Sequence, residues 1–335
     1  MMRSMGMFDT LDYRILKRLH QSETPVAAAD LCGELSCSLQ ELHTRYEELT
    51  RAGLNIENKP GEGFLLKDDY DLLVPEDIAA RLQGIRFGKK ILIFDETTST
   101  QDTALKLARE GLPEGTVIIA GFQTKGRGRY KRAWVAPKHS SLLFSFLVTP
   151  GWSRLQVARA TAFVAVGIVR ALREWGFPAT IKYPNDILIG GRKVCGILTE
   201  SLVTQSVLYY VVGIGINVNV TEFPPELEDS ATSLLREFNR RASPPELMQP
   251  LLRPALMACL LSHLDRAYDQ CLQRFDLIRD EWAEYCDTLG QTIAIKGSHP
   301  TQGLALGLDD DGFMLLRTAS GQIEKLCGGE IEKVA

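Results

Sequence analysis

A chain of 335 residues, 45% hydrophobic and 24% charged with a formal net charge of −4, has room for two or three domains and no bulk attraction to nucleic acid or an anionic membrane. Any basic site must therefore be local. Its seven cysteines include no C-x-x-C pair, and Cys32 and Cys37 lack companions at zinc spacing; with no signal-type region and no apolar run of spanning length, the composition predicts a cytoplasmic protein with reduced thiols.

Residues 9–66 read as a unit of their own. Leu11, Ile15, Leu16 and Leu19 share one helical face. Val26 to Leu35 make a second short helix, and Leu39, Leu42, Tyr46 and Leu49 give a third that Ser36 or Ser38 caps. Gly53 stops it, and two short strands, Leu54–Ile56 and Phe64–Leu66, flank Pro60-Gly61-Glu62-Gly63. Three helices and a hairpin predict a winged helix-turn-helix, the Pro-Gly wing weighing against a generic three-helix bundle. Candidate DNA contacts on the third helix are Gln40, Thr44 and Arg45. Residues 1–75 nevertheless carry eight Lys or Arg against 13 Asp or Glu, a net charge of −5. Recognition helices normally present cations to phosphate, so DNA binding is expected only from a dimer whose symmetry doubles a modest set of contacts. A purely structural or regulatory winged helix is the competing reading.

After an acidic linker, Asp68 to Glu76, the pattern turns α/β. Strands are expected at Lys90–Phe94, Val117–Phe122, Leu142–Val148 and Val207–Val218, and helices at Gln101–Arg109 and Arg154–Trp175, the latter with Leu155, Ala158, Ala162, Val166 and Val169 inward. Ile187–Ile189 and Val194–Leu198 flank Gly190-Gly191 as a hairpin, and Leu247 to Tyr285 is helical. From Thr288 onward the period shortens: Thr292–Ile295, Gly303–Leu308, Phe313–Arg317 and Gln322–Leu326 predict a small barrel of about five strands.

Three blocks carry the chemistry. Gly126-Arg127-Gly128-Arg129-Tyr130-Lys131-Arg132-Ala133-Trp134 puts four cations and two glycines into one loop; Lys182-Tyr183-Pro184-Asn185-Asp186 and Gly191-Arg192-Lys193-Val194-Cys195-Gly196-Ile197-Leu198-Thr199-Glu200 follow. Glycine lets backbone N–H groups approach an anion, and each guanidinium offers a planar fork for carboxylate or phosphate. The bland alternative is a set of solvated basic loops. Histidine is scarce, with His20, His43, His139, His263 and His299 each isolated in sequence and read as structural or surface residues, and no Ser-His-Asp or Cys-His arrangement stands out.

These blocks resemble the G-R-G-R-x-G-R-x-W, K-W-P-N-D and R-K-x-x-G-I-L-x-E signatures of the biotin protein ligases. Ser99-Thr100-Gln101 resembles that family's S-T-N element, and Gly213-Ile214-Gly215-Ile216-Asn217-Val218 its G-I-G-I-N-V strand. With a winged helix in front and a small barrel behind, the likeness extends to the three-domain, bifunctional ligase and repressor form over nearly the whole chain. It implies an α+β multidomain fold: a winged helix-turn-helix over residues 1–72, a central mixed-sheet α/β ligase domain of the class II synthetase-like type over 73–286, and an SH3-like barrel over 287–335. It implies the cofactors and substrates ATP, biotin and Mg2+, formation of biotinyl-5′-AMP, transfer to a lysine of a biotin carboxyl carrier protein, and a ligand-dependent homodimer on operator DNA. Joining a carboxylate to the α-phosphate of ATP brings like charges together, which the basic residues here suit. Carried over residue by residue, Ser99, Thr100, Gln101 and Gln123 meet the ureido end of biotin. Arg127, Gly128 and Arg129 close over the carboxylate and phosphate, and Lys193, the first choice for catalysis with Arg129 and Asp186, bridges the two. Arg132, Trp134, Lys182, Asn185 and Asn217 serve ATP or the adenylate, and Asp186 serves Mg2+. Tyr130 and Lys131 depart from the pattern, so the loop is expected to bend differently; Gln101 is one methylene longer than the usual Asn; Tyr183 replaces Trp conservatively. The alternatives are a lipoate or octanoate ligase and a non-catalytic biotin-sensing transcription factor.

Overall fold

In the computed structural model, which describes residues 2–4, 11–67, 71–82, 86–204, 206–241, 250–296, 301–326 and 330–333, the chain starts with a short strand, β1 (Met2–Ser4). Three helices follow, α1 (Leu11–His20), α2 (Ala28–Leu35) and α3 (Leu39–Arg51), and then an antiparallel pair, β2 (Ile56–Lys59) and β3 (Gly63–Leu66). Ser38 starts α3: its hydroxyl accepts from the Glu41 N–H while the Glu41 carboxylate accepts from the Ser38 N–H, a reciprocal capping box. Ser36 instead closes α2 in the left-handed conformation, with φ 52°. Val26 lies outside α2, because its N–H and C=O pair with Phe64 and extend the hairpin by one bridge.

The expected acidic linker ends in a helix, α4 (Pro75–Arg81), with proline at its first turn where no N–H is needed. It packs on α1, and buried Asp77 bonds His20 at 2.7 Å and Arg81 at 3.2 Å. His20 is thus a partner across two segments. Residues 68–70 of the linker lie outside the described residues.

The central unit runs β4 (Lys90–Thr97), α5 (Thr100–Arg109), β5 (Thr116–Gln123), β6 (Ser141–Val148), α6 (Val157–Glu174), β7 (Ala179–Lys182), β8 (Asp186–Ile189), β9 (Arg192–Thr204), β10 (Val207–Asn217), α7 (Leu234–Arg241), α8 (Arg253–Gln273) and α9 (Phe275–Tyr285). Its strands form one mixed eight-stranded sheet, order β1-β4-β5-β6-β10-β9-β8-β7, in which only β4 and β5 are parallel. The expected long helix Arg154–Trp175 opens as a 3-10 turn, Arg154–Gln156, before α6; the side chain of Leu155 lies outside the described set. The expected helical stretch Leu247–Tyr285 is two helices that meet at Arg274, and residues 247–249 also lie outside the described residues. Strand β7 and helices α4 and α7 are additions to the elements expected from the sequence.

Alternation along β10 explains where the site lies. Tyr210, Val212, Ile214 and Ile216 point into the large core with α6 and α8, whereas Tyr209 and Val211 on the other face are covered by α5. Gly213, Gly215 and Asn217 continue that second face, Gly213 under Gln101 in the first turn of α5 and Gly215 under the Trp134 ring. The C-terminal strands β11 (Thr292–Lys296), β12 (Thr301–Leu308), β13 (Met314–Thr318), β14 (Ile323–Leu326) and β15 (Glu330–Lys333) form an antiparallel sheet of order β14-β13-β12-β11-β15. Among the described residues, no helix is long and apolar enough to cross a membrane.

Candidate active site

This glycine face floors a cavity of about 500 Å³, within the usual range for small-molecule sites. Glycine is required there. A Cβ on Gly215 would lie 2.5 Å from the Trp134 ring, one on Gly196 2.9 Å from it, and one on Gly213 2.6 Å from Gln101 Oε1. The sheet is stripped of side chains so that the basic loop's tryptophan and the first residues of α5 can lie against it.

The charge of the walls is predominantly positive. Arg127, Arg129, Arg132, Lys182 and Lys193 line the cavity, and Asp186 is the only carboxylate among the described lining residues. Every residue expected to meet biotin or ATP lines it: Ser99, Thr100, Gln101, Gln123, Arg127, Gly128, Arg129, Arg132, Trp134, Lys182, Asn185, Asp186, Lys193 and Asn217. Gln40, Thr44 and Arg45 lie on α3, outside it; Arg45 is paired with Glu48 at 2.7 Å and Asp12 at 3.7 Å, and Thr44 donates to the Gln40 carbonyl.

At one end of the cavity, the start of α5 is buried and hydrogen-bonded. The Thr100 N–H and hydroxyl both donate to Gln123 Oε1, at 2.7 and 3.1 Å. Ser145, from β6, donates towards Thr100 Oγ1 at 2.9 Å and Gln101 Oε1 at 3.2 Å. Gln101 spends its amide nitrogen on Glu200 Oε2 and the Val211 carbonyl. The extra methylene of this glutamine therefore carries its amide across to β9 and β10, whereas Ser99, almost fully buried, makes no capping hydrogen bond. Ser145 is not among the residues expected at the site, because nothing in its apolar strand marks it.

The basic loop is a tight hairpin. Gly128 N–H donates to the Arg132 carbonyl at 2.7 Å and Trp134 N–H to the Gly126 carbonyl at 2.9 Å. The turn passes through a 3-10 segment, Arg129–Lys131, in which Tyr130 takes φ 55°. Arg127 is anchored: its guanidinium bonds Glu200 twice and Asp102 once, all within 2.9 Å. Hydrogen bonding to Glu200 raises the Arg127 pKa despite burial. Burial pushes the Glu200 carboxyl up, but the bonds from Arg127 and Gln101 outweigh it and hold it below the usual range. Arg129 donates to Asn185 Oδ1 at 3.1 Å and lies over the Tyr130 ring.

Lys193 Nζ reaches Asp186 Oδ1 at 2.6 Å and sits 5.7 Å from the centre of the Trp134 ring. Its backbone is fixed from both sides, the N–H by the Ser230 carbonyl and the C=O by the Thr232 N–H. Asn217 donates to the Thr232 carbonyl, and its buried Oδ1 has no partner among the described residues. Asn217 lines the cavity, whose other walls are rich in donors.

Residues 93–217 match the Biotin/lipoate A/B protein ligase family and residues 288–334 the biotin protein ligase C terminal domain. The chain is 32% identical over 312 residues to the bifunctional ligase/repressor BirA of Bacillus subtilis, across 92% of this chain and 93% of that protein. It is 28% identical to the bifunctional ligase/repressor BirA of Escherichia coli over 89% of both. Among solved structures, a biotin protein ligase from Aquifex aeolicus in complex with biotin and ATP superposes with a TM-score of 0.61 at 28% identity, covering 73% of this chain and 98% of that one. With both family segments in order on the shared fold, and a full-length relative sharing close to a third of its residues, the chain belongs to the biotin protein ligase family.

Proposed function

We propose that this chain condenses biotin with ATP to biotinyl-5′-AMP and diphosphate, then transfers the biotinyl group to a lysine of a biotin carboxyl carrier protein. The observation that carries the reading is five cations around one carboxylate in a cavity floored by glycines. A carboxylate and a triphosphate gather there without mutual repulsion deciding the outcome. The acyl-adenylate is already activated towards an amine, so no covalent enzyme intermediate is needed.

Ser99, Thr100, Gln101 and Gln123 form the end that meets the ureido group, Gln101 by holding Glu200 in place and the others by direct contact. Arg127 and Gly128 shape the loop over the carboxylate, Arg127 acting as its anchor. Lys193 exchanges Asp186 for the incoming carboxylate and α-phosphate, and Arg129, held by Asn185, clamps the phosphoryl group afterwards. Lys182, Arg132 and Trp134 face the nucleotide, and the free acceptor on Asn217 suits an amino or hydroxyl donor on it. Asp186 would hold Mg2+ with the triphosphate oxygens, in keeping with the ion's habit of using one or two carboxylates plus substrate phosphates; when bound, Mg2+ neutralises developing negative charge.

Three units accompany these roles: residues 1–72 as a winged helix-turn-helix, 73–286 as the ligase domain and 287–335 as an SH3-like domain. The capped α3 after the α2 turn and the β2–β3 hairpin support the first. A repressor role on operator DNA is supported by the two bifunctional ligase/repressor relatives that span this region, and a ligand-dependent dimer would supply the doubled contacts that so acidic a unit needs. Incubation with ATP, Mg2+, labelled biotin or lipoate, and an apo carrier domain tests the ligase reading. Biotin on the carrier lysine is expected; lipoate alone, or no label, overturns it.

A further inference from the structure

Away from the cavity, α6 and α8 bring three potential metal ligands to one point. Cys259 and His263 stand four residues apart on α8 and share one helical face; Glu174, the last residue of α6, meets both. Glu174 Oε2 lies 2.7 Å from His263 Nε2 and Oε1 3.5 Å from Cys259 Sγ. One ligand atom from each residue falls within 4.8 Å of the other two. The two helices pack closely beside this point: a Cβ on Gly167 of α6 would lie 3.1 Å from Leu264 Cα and 3.3 Å from the His263 carbonyl oxygen. None of the three lines the catalytic cavity. His263, isolated in sequence, is therefore not isolated in the fold.

Without a metal, the carboxylate accepts from both neighbours, so two polar hydrogens occupy the space between three lone-pair donors. Burial first, then Glu174, push the Cys259 thiol up to about 12, against hydrogen bonding from Trp175 and the charge of Arg266. The same Trp175 donor and Arg266 cation favour a thiolate once the proton is displaced, the kind of outer support that tunes metal–thiolate sites.

We propose that Glu174, Cys259 and His263 form a site for a borderline divalent transition metal, Zn2+ by preference, with water completing a tetrahedron and the ion bracing the end of α6 against α8. Binding releases one proton from Cys259 to solvent and moves the ring proton of His263 from Nε2 to Nδ1. Thiolate, carboxylate and dication then sum to zero charge. A sulfur ligand selects against Mg2+ and Ca2+. The Nδ1 atom is buried without a partner among the described residues, so the proton shift lowers affinity, and a micromolar site is expected.

The full-length chain, stripped with chelator and free of nucleotide, is titrated with Co2+ and then with Zn2+. One equivalent of Co2+ is expected to give a thiolate-to-cobalt absorption band in the near ultraviolet that Zn2+ abolishes. Cys259→Ser should lose the band, His263→Gln should weaken binding at least about tenfold, and both should form adenylate at the wild-type rate. Absence of the band from the wild-type chain overturns the proposal, and so does a band of unchanged strength in either variant. Circular dichroism of both variants separates loss of the site from loss of the fold; should Cys259→Ser unfold, His263→Gln decides.

Discussion

Arg127 and Glu200, 73 residues apart in the chain, meet through two parallel hydrogen bonds, Nη1 to Oε1 at 2.9 Å and Nη2 to Oε2 at 2.7 Å. A bidentate pair of this kind fixes orientation as well as position. It ties the base of the cationic loop to β9, whereas Arg129 bonds Asn185 and Lys193 pairs with Asp186. Glu200→Gln should weaken biotin affinity about tenfold or more, since an arginine deprived of a charged partner loses an interaction of roughly 1.5–3 kcal/mol. The turnover of bound substrate should change less. Titration calorimetry with biotin, alongside diphosphate exchange at saturation, checks the split; a fall confined to turnover would contradict the anchoring role.

The same pair has a pH signature. The Glu200 carboxyl is held below its ordinary value of 4.5, so the anchor's contribution is fully present above that value and is lost as pH falls through the lower, folded-state one. Biotin affinity should therefore show no Glu200-dependent change across neutral pH, and a divergence between the wild type and Glu200→Gln should close only in acid. A difference that narrows near pH 7 would be inconsistent with a depressed carboxyl.

Lys193→Ala should lower the rate of adenylate formation by about 10²–10³, the usual loss for one preorganised electrostatic contact, with the fold retained. Diphosphate exchange measures it directly. An exchange rate near that of the wild type would remove Lys193 from the chemistry.

Arg129→Gly should still make the adenylate but hold it poorly, because the guanidinium that Asn185 positions would no longer clamp the phosphoryl group. Faster adenylate dissociation and indiscriminate labelling of exposed lysines are expected. Carrier-only labelling with unchanged dissociation would argue against the clamp.

Gly215→Ala tests the floor of the cavity. Its Cβ would fall 2.5 Å from Trp134 Cε2 and 2.8 Å from Cζ2, so the indole must move or the strand must bend. A loss of about 1–3 kcal/mol in stability is expected from overpacking, together with weaker adenylate binding. Calorimetric unfolding and a nucleotide-binding titration on the same sample would reveal whether the ring merely yields; unchanged values in both would mean that it does.

The sequence alone determined what is local. Helical faces in α1 and α3, the capping residues around Ser38, the Gly190-Gly191 hairpin and the short C-terminal strands follow from periodicity and turn chemistry within a few residues, so they could be read before any fold was known. The motif cations were legible for the same reason, since each block is contiguous. Elements whose formation depends on a distant partner were not: β7 is only Ala179–Lys182 and exists because β8 pairs with it, and α4 is a seven-residue helix packed on α1. Tertiary structure also decided how the cations divide their work. Nothing in the run from Gly126 to Trp134 distinguishes Arg127 from Arg129, yet burial beside Glu200 and Asp102 commits the first to two carboxylates and the second to Asn185. The glycines of β9 and β10 read locally as weak points in two strands; they become a cavity floor only because Gln101 of α5 and the indole of Trp134, from distant segments, lie against them where side chains would stand.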